Sequence, residues 1–408
     1  MWSVKARILI ATALAATVLS VATAQWFPLL VAVALAIQLA YGHLIFRPEG
    51  QLVGARKLEL ETIRETDKIQ LDASVTNDGR STTFMELREA VPRQMQVLEG
   101  RPSTVAALSP GDSHRFKLQI KAPLMGVYDM GPLEARLEDP YGLYFQEERV
   151  LEAGQLVVLP AEGPVDDAYV IVNTFQNFQG EYTVNQPGDG FDFYGLREYV
   201  PGDVYRAINW KASAKTGDLM VNQFERTTST EITFLIDGRS VANIGPEDRT
   251  PFVQSSRAVS TLLREFFGKR DAPRTVVYGD GLHQVRPGPP DRVINEVLET
   301  LAMWEPSGNE PLTHALDEML PRMVSGTPVI LFSPLIDDPT ILEAVAQLLA
   351  HEFIVIVIAP PLTGLDGMSE AEAEAMEAVR EHVLNGLRAF DVEVVQPQHL
   401  AQPPGVDA

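Results

Sequence analysis

Asp237-Gly238-Arg239-Ser240-Val241 closes one apolar run, and Asp337-Asp338 follows another, Pro328 to Phe332, after Ser333-Pro334. Carboxylates at the ends of neighbouring strands have the chemistry to share a hard cation such as Mg²⁺, which takes oxygen ligands. They could also serve a hydrolase as acid and base. The plain alternative is loop carboxylates in water, with Asp237 capping the loop after it. Other catalytic patterns find no support. His43, His114, His283, His314, His351, His382 and His399 are scattered, without the HExxH spacing of a zinc hydrolase. There is no Gly-x-Ser-x-Gly elbow and no Walker A loop, and Gly188-Asp189-Gly190 reads as a turn. The acidic run from Glu370 to Glu381 reads as a solvated helix face.

A second group of residues lies between 190 and 217. Pro201-Gly202 forces a turn. Asp203 stands where an N-cap would open a short helix, which would put Arg206 and Trp210 on one face, four residues apart. Arg197, Arg206, Lys211 and Lys215 concentrate positive charge in a chain whose formal net charge is −22. Two readings stand side by side. In one, Arg197 or Arg206 pairs with a carboxylate and Trp210 plugs a seam between domains. In the other, the segment is a basic patch for a phosphate or an acidic partner surface.

The elements that must position these groups follow from hydrophobic rhythm. From 231 to 396 strands and helices alternate. Glu231 to Ile236 and Thr275 to Tyr278 read as strands; Pro251 to Phe267 and Val293 to Trp304 read as helices. Pro328 to Phe332 reads as a buried strand, Ile341 to His351 as a helix and Phe353 to Ala359 as a β-branched central strand. Ser369 with Glu372 is a capping box, and Val392 to Val395 closes the sheet. This predicts an α/β doubly wound parallel sheet, a fold that places ligands at the carboxyl ends of its strands.

Residues 49–160 carry a different period. Lys68 to Val75 and Phe116 to Ile120 alternate apolar and polar residues, punctuated by turns at Asn77-Asp78-Gly79, Pro110-Gly111-Asp112 and Asp139-Pro140-Tyr141-Gly142. This predicts an antiparallel β-sandwich serving as a spacer or contact module. Residues 1–48 hold two apolar runs, Ile8 to Ala24 and Leu29 to Phe46, each close to the ~20 residues needed to cross a bilayer. Gln25-Trp26-Phe27-Pro28 allows only a tight antiparallel hairpin between them. Lys5 and Arg7 on one flank, with Arg47, Arg56 and Lys57 on the other, predict a multi-pass cell-membrane protein of two spans with a cytoplasmic body. Ala22-Thr23-Ala24 also fits a signal-peptide cleavage site, but the second apolar run weighs against that reading. The domains expected are thus 1–48, 49–160, a linking segment 161–230, 231–396 and a flexible tail 397–408. The acidic balance excludes a general nucleic-acid binder, and the absence of cysteine excludes disulfides and thiolate chemistry.

The segment from Arg197 also resembles the signature of domain of unknown function family 58. It matches at Arg197, Glu198, Tyr199, Pro201, Gly202, Asp203, Arg206, Ile208, Trp210, Lys211, Ser213 and Ala214. Lys215 replaces the family's Arg, which keeps the charge but not the bidentate fork. Asp139-Pro140-Tyr141-Gly142-Leu143 is similar to a second family turn, so the resemblance runs over nearly the whole chain. It implies a membrane protein with a von Willebrand factor A-like domain, working as a non-catalytic adaptor or scaffold with a MoxR-type AAA+ ATPase and protein clients. The residues of the signature, Arg197 to Ser213, would be its binding site. The metal motif of such domains, Asp-x-Ser-x-Ser, is degenerate here: Asp237 matches, Arg239 and Val241 stand in the serine places, and Ser240 is out of register. With Asp337 as the later acid, the remnant is Asp237, Ser240 and Asp337. Mg²⁺ is the one cation it would take, and no tight binding is expected because an Arg repels a cation. The rival expectations are an outward-facing, metal-dependent adhesion protein and a hydrolase using the strand-end carboxylates.

Overall fold

The computed structural model describes residues 2–45, 52–79, 83–139, 141–162, 187–225, 231–268, 272–336, 338–362 and 369–396. The chain forms two compact units, one of residues 1–161 with 301–303 and the other of 162–300 with 304–408.

The first unit opens with α1 (Val4–Thr23) and α2 (Phe27–Ile45). Ser3 caps α1 by accepting from Ala6 N at 3.1 Å, and Ala24 ends it in the left-handed region at φ 52. Pro28 stands in the first turn of α2, where its missing N–H costs nothing. Thr12, Thr17 and Thr23 each donate to the carbonyl four residues back, and Ser20 Oγ donates to Gln25 O at 2.6 Å. The hydroxyls are therefore satisfied inside the helix pair. Both helices are long and apolar enough to cross a membrane, and most of their surface is exposed.

Eleven strands follow: β1 (Leu52–Leu58), β2 (Thr62–Arg64), β3 (Lys68–Asn77), β4 (Thr83–Glu89), β5 (Gln96–Glu99), β6 (Ser103–Leu108), β7 (Ser113–Lys121), β8 (Gly126–Met130), β9 (Leu133–Glu138), β10 (Phe145–Leu151) and β11 (Gly154–Leu159). They make antiparallel sheets in the orders β1-β3-β7-β5 and β10-β9-β4-β6, and a mixed sheet β2-β11-β8. The alternation read in the sequence is what buries β3: Ile69, Leu71, Ala73 and Val75 face inward. Ile69 and Leu71 pack with Leu118, Ile120, Met130 and Leu156, and Val75 with Met85, Leu87 and Leu137. β3 thus contributes to two adjoining cores.

The second unit begins with a ribbon, β12 (Pro187–Glu198) against β13 (Met220–Glu225), with α3 (Trp210–Thr216) between them. Then come β14 (Glu231–Asp237), α4 (Pro251–Gly268), β15 (Ala272–Gly279), β16 (Gly281–Val285), α5 (Pro290–Met303), α6 (Leu312–Met319), β17 (Pro328–Phe332), α7 (Ile341–Ala350), β18 (Ile354–Ile358), α8 (Glu370–Ala389) and β19 (Glu393–Val395). The six-stranded sheet has the order β16-β15-β14-β17-β18-β19. Leu235, Leu331 and Val357 pack with Leu316 of α6, Leu348 of α7 and Leu387 of α8, while α4 packs on β14 and β15. Ser369 and Glu372 form the expected capping box of α8.

Two differences from the sequence reading have physical causes. The sheet is mixed: β16 runs antiparallel to β15, because the single residue between them leaves no length for a crossover, and Gly281 makes the turn at φ 121. The helix α6 was not expected at all. Its buried face, Leu312, Ala315, Leu316 and Met319, sits in a stretch too short for the period to stand out.

Candidate functional site

The carboxyl ends of β14, β15 and β17 meet around Arg239. This side chain and that of Asp237 are each 1% exposed. Arg239 Nη2 donates to Asp237 Oδ2 at 2.6 Å and Nε to Oδ1 at 2.9 Å, and Nη1 lies 3.3 Å from Asp338 Oδ2. The remaining lone pairs are filled by protein donors. Asp237 accepts from Arg239 N at 3.2 Å and Ser333 Oγ at 2.9 Å. Asp338 accepts from Leu312 N at 3.1 Å, Thr340 N at 2.9 Å and Thr340 Oγ1 at 2.7 Å. Ser333 Oγ in turn accepts from Leu335 N at 3.1 Å, fixing Leu335 at φ 60. A branched side chain there carries strain that the surrounding bonds must offset.

Close backbone packing sets the position of Arg239. Trp304 Nε1 donates to Gly238 O at 2.9 Å, and Ser307 N donates to the same carbonyl at 3.1 Å. A Cβ on Gly238 would lie 2.3 Å from Trp304 Nε1, so only glycine fits between Asp237 and Arg239. The Tyr278 ring lies 5.5 Å from the guanidinium. Burial, with the Asp237 carboxylate beside it, pushes the Tyr278 phenol well above its ordinary pKa. Burial alone would lower the Arg239 pKa; hydrogen bonds to Asp237 and the neighbouring negative groups outweigh it, and the net shift is upward. The guanidinium is therefore charged at every accessible pH.

Ser240 Oγ donates to Gly308 O at 3.1 Å, away from the carboxylates. Asp337 lies outside the described residues. Among the described residues, Asp338 is the acid beside Arg239 and Asp237, and Ser333 and Thr340 donate to the two carboxylates. A divalent cation does not fit among these residues, because the space between the two carboxylates is filled by the guanidinium and their oxygens are engaged. Beside the network, a groove of about 670 Å³ is lined by Val241, Ile336, Asp338, Leu342, Met376 and Val379.

The signature segment is built differently. Arg197 grips Asp203 through two bonds, Nη1 to Oδ2 at 2.6 Å and Nη2 to Oδ1 at 2.5 Å, and Val200 N donates to Asp203 Oδ2 at 2.9 Å. Gly202 supplies φ 116 for the turn thus closed. The bonds from Arg197 and Val200 hold the Asp203 carboxyl at about 2. Asp203 does not cap a helix carrying both Arg206 and Trp210. Tyr205–Ala207 is a single 3₁₀ turn, Ile208 is extended, and α3 starts at Trp210 with Asn209 as its cap, accepting from Ala212 N at 3.0 Å. Ser213 Oγ bridges Asn209 O at 2.9 Å and Met220 N at 2.8 Å, tying α3 to β13. Tyr199 is half-buried, its ring 6.3 Å from Tyr205, and Glu198 and Pro201 are exposed.

Of the two readings of this segment, the pairing of Arg197 is observed, and Trp210 is 65% exposed rather than buried. Val200, Val204 and Tyr205 are exposed with it, as are Arg206, Lys211 and Lys215. Spacing alone gave no sign of this, since tryptophan is usually buried.

Residues 195–368 match the family model described as Protein of unknown function DUF58. The matched family is the one whose signature the Arg197–Ala214 segment resembles. The match holds the signature and the Arg239 network; the helix pair and the Asp139 turn lie before it. No curated protein matches the chain. Among solved structures, the CARDB domain of a Pyrococcus furiosus protein aligns at 11% identity over 28% of this chain and 96% of that one, with a TM-score of 0.21. Salmonella alpha-2-macroglobulin aligns at 15% identity over 27% and 8%, TM-score 0.20. A FixG-related protein from Vibrio parahaemolyticus aligns at 8% identity over 26% and 96%, TM-score 0.19. Likenesses at these scores carry no functional argument.

Proposed function

We propose that the protein is a membrane-anchored, non-catalytic adaptor that engages a protein partner through the surface around Trp210. The observation that carries this reading is the exposure of Trp210 at 65% and Tyr205 at 74%, with exposed Arg206, Lys211 and Lys215, in a chain of net charge −22. Trp, Tyr and Arg are the residues that dominate the energetics of protein interfaces. An exposed aromatic cluster on an acidic, soluble body is costly unless something covers it. The helix pair anchors the body to the cell membrane, with the basic flanks assigning the body to the cytoplasm. The strands of the first unit act as a sandwich-type spacer, and the second unit as a von Willebrand factor A-like domain whose cation position is held by Arg239. A MoxR-type AAA+ ATPase is the partner class the family resemblance implies, with protein clients handled jointly.

The closed Asp237–Arg239–Asp338 network speaks for this reading over the metal-dependent adhesion protein and over the hydrolase. Both rivals need carboxylate oxygens that face a ligand, and here those oxygens face internal donors. The test is affinity capture of a MoxR-type ATPase by the detergent-solubilised full chain, wild type against an Arg206→Ala, Trp210→Ala double variant. Capture by wild type and loss in the variant supports the reading; equal capture by both removes the Trp210 surface from it.

A further inference from the structure

The turn that follows β9 is folded on its own carboxylate. Asp139 is buried, and its Oδ1 accepts from Leu143 N at 2.5 Å and Tyr144 N at 2.7 Å, while Oδ2 accepts from Tyr141 N at 3.1 Å. The turn is seated on the helix pair. Leu143 and Tyr144 pack against Ala6 and Leu39, with Leu9 and Ile10 beside them. Tyr144 Oη donates to Leu39 O at 2.8 Å, and Ser3 N donates to Leu143 O at 2.9 Å. Gly42 makes the approach possible: a Cβ there would lie 3.2 Å from the Tyr144 ring.

Helix geometry turns these contacts into a depth. Ile10 follows the start of α1 at Val4, and Leu39 precedes the end of α2 at Ile45, each by about 9 Å at 1.5 Å per residue. The helix lengths beyond the contact, residues 11–23 and 27–38, measure about 18–20 Å, short of the ~30 Å hydrocarbon core. A pair that spans the core must therefore carry the turn into the leaflet. The chemistry of the turn suits that place. Its carboxylate and the Tyr144 hydroxyl are satisfied internally, as polar groups entering a bilayer must be. Trp2, Tyr41 and Tyr141 point outward at this level, 43%, 52% and 47% exposed, and such rings collect at membrane interfaces. Exposed Lys5 and Arg7 stand beside them, with charge that suits lipid phosphates.

We propose that the Asp139–Tyr144 turn is an interfacial wedge that enters the phospholipid headgroup layer and seats the first unit directly on the bilayer. The proposal rests on the membrane-spanning reading of α1 and α2, and the experiment separates the two. The chain has no cysteine, so single Cys positions can be labelled without background. Nitroxide labels are placed at Leu14→Cys and Val33→Cys in the helices, Tyr141→Cys and Trp2→Cys at the wedge, and Gln94→Cys at the opposite end of the β4–β9 sheet. The full chain is reconstituted in phosphatidylethanolamine–phosphatidylglycerol vesicles, and collision with oxygen and with a water-soluble nickel chelate is measured. The expected result is deep burial at 14 and 33, full chelate access at 94, and a severalfold loss of chelate access at 141 and 2. Labels at 141 and 2 as open as 94, with 14 and 33 still deep, overturn the wedge and leave the anchor standing. Labels at 14 and 33 open to the chelate remove the anchor and the wedge together.

Discussion

Arg239 Nη2 lies 2.6 Å from Asp237 Oδ2, with both side chains 1% exposed. Removing one member of a buried ion pair leaves the other charge unpaired in a poor solvent, a cost of about 3–5 kcal/mol. Arg239→Ala is expected to lower the stability of the protein by that amount, read as a shift of the denaturant midpoint at unchanged slope. Asp338 shares the same guanidinium at 3.3 Å, so Asp338→Ala should be non-additive with Arg239→Ala. Full additivity of the two losses would show that the network is not one unit.

Among the described residues the Arg239 guanidinium supplies the positive charge between the strand-end carboxylates, and no stabilisation by divalent metal is expected. The thermal midpoint of the wild type should be the same in excess Mg²⁺ and in chelator, since a ligand of the native state raises it by mass action. A metal-dependent rise that vanishes in Asp237→Ala would contradict the guanidinium's role.

The surface around Trp210 should behave as a contact site with little bearing on the fold. Trp210→Ala changes a side chain that is 65% exposed, so the expected stability change is within about 0.5 kcal/mol. Loss of a central aromatic anchor weakens binding by about 2 kcal/mol, or about 30-fold. Unfolding curves alongside titration of a captured partner separate the two effects.

The Arg197–Asp203 clasp has a pH signature. Asp203 is held at about 2, below the ordinary carboxyl value of 3.8. A depressed acid stabilises the fold above its unfolded value and loses that contribution as pH falls through its folded value. The turn at Pro201-Gly202 should therefore hold from neutrality to about pH 4 and loosen between there and about pH 2. Amide signals of Val200 and Asp203, followed by NMR through that range, give the check; Asp203→Asn should abolish the transition.

The seat of the helix pair is testable by a single methyl-sized change. Gly42→Ala places a Cβ against the Tyr144 ring at 3.2 Å, and Tyr144→Phe removes a bond to Leu39 O worth about 1 kcal/mol. Both should raise protease sensitivity near Tyr141 in the full chain, with Gly42→Ala gaining some helix propensity in compensation.

Elements with a repeating period were legible in the sequence. The two apolar runs fall in α1 and α2, the alternating Lys68 to Val75 falls in β3, and Pro328 to Phe332 is β17 with the same boundaries. The site was less legible because its chemistry is tertiary. Arg239 reads as an intruder that repels a cation; only the fold reveals it as the positive centre between two carboxylates. Asp337 and Asp338 are equivalent as letters, and nothing in the sequence shows that Leu312 N and Thr340 Oγ1 converge on the Asp338 carboxylate. Arg206 and Trp210 have helical spacing, yet the extended Ile208 separates their elements.

Among the described residues the β12–β13 ribbon has no third strand, and Ile208 and Val221 are the buried apolar side chains described within its span of 195–223. Two-stranded ribbons are marginal in water, and this one is held by the Arg197–Asp203 and Asn209–Asn222 bonds. A ribbon of this kind is expected to open at low free energy compared with the six-stranded sheet. The surface proposed as a contact site would then be carried on a readily deformed ribbon.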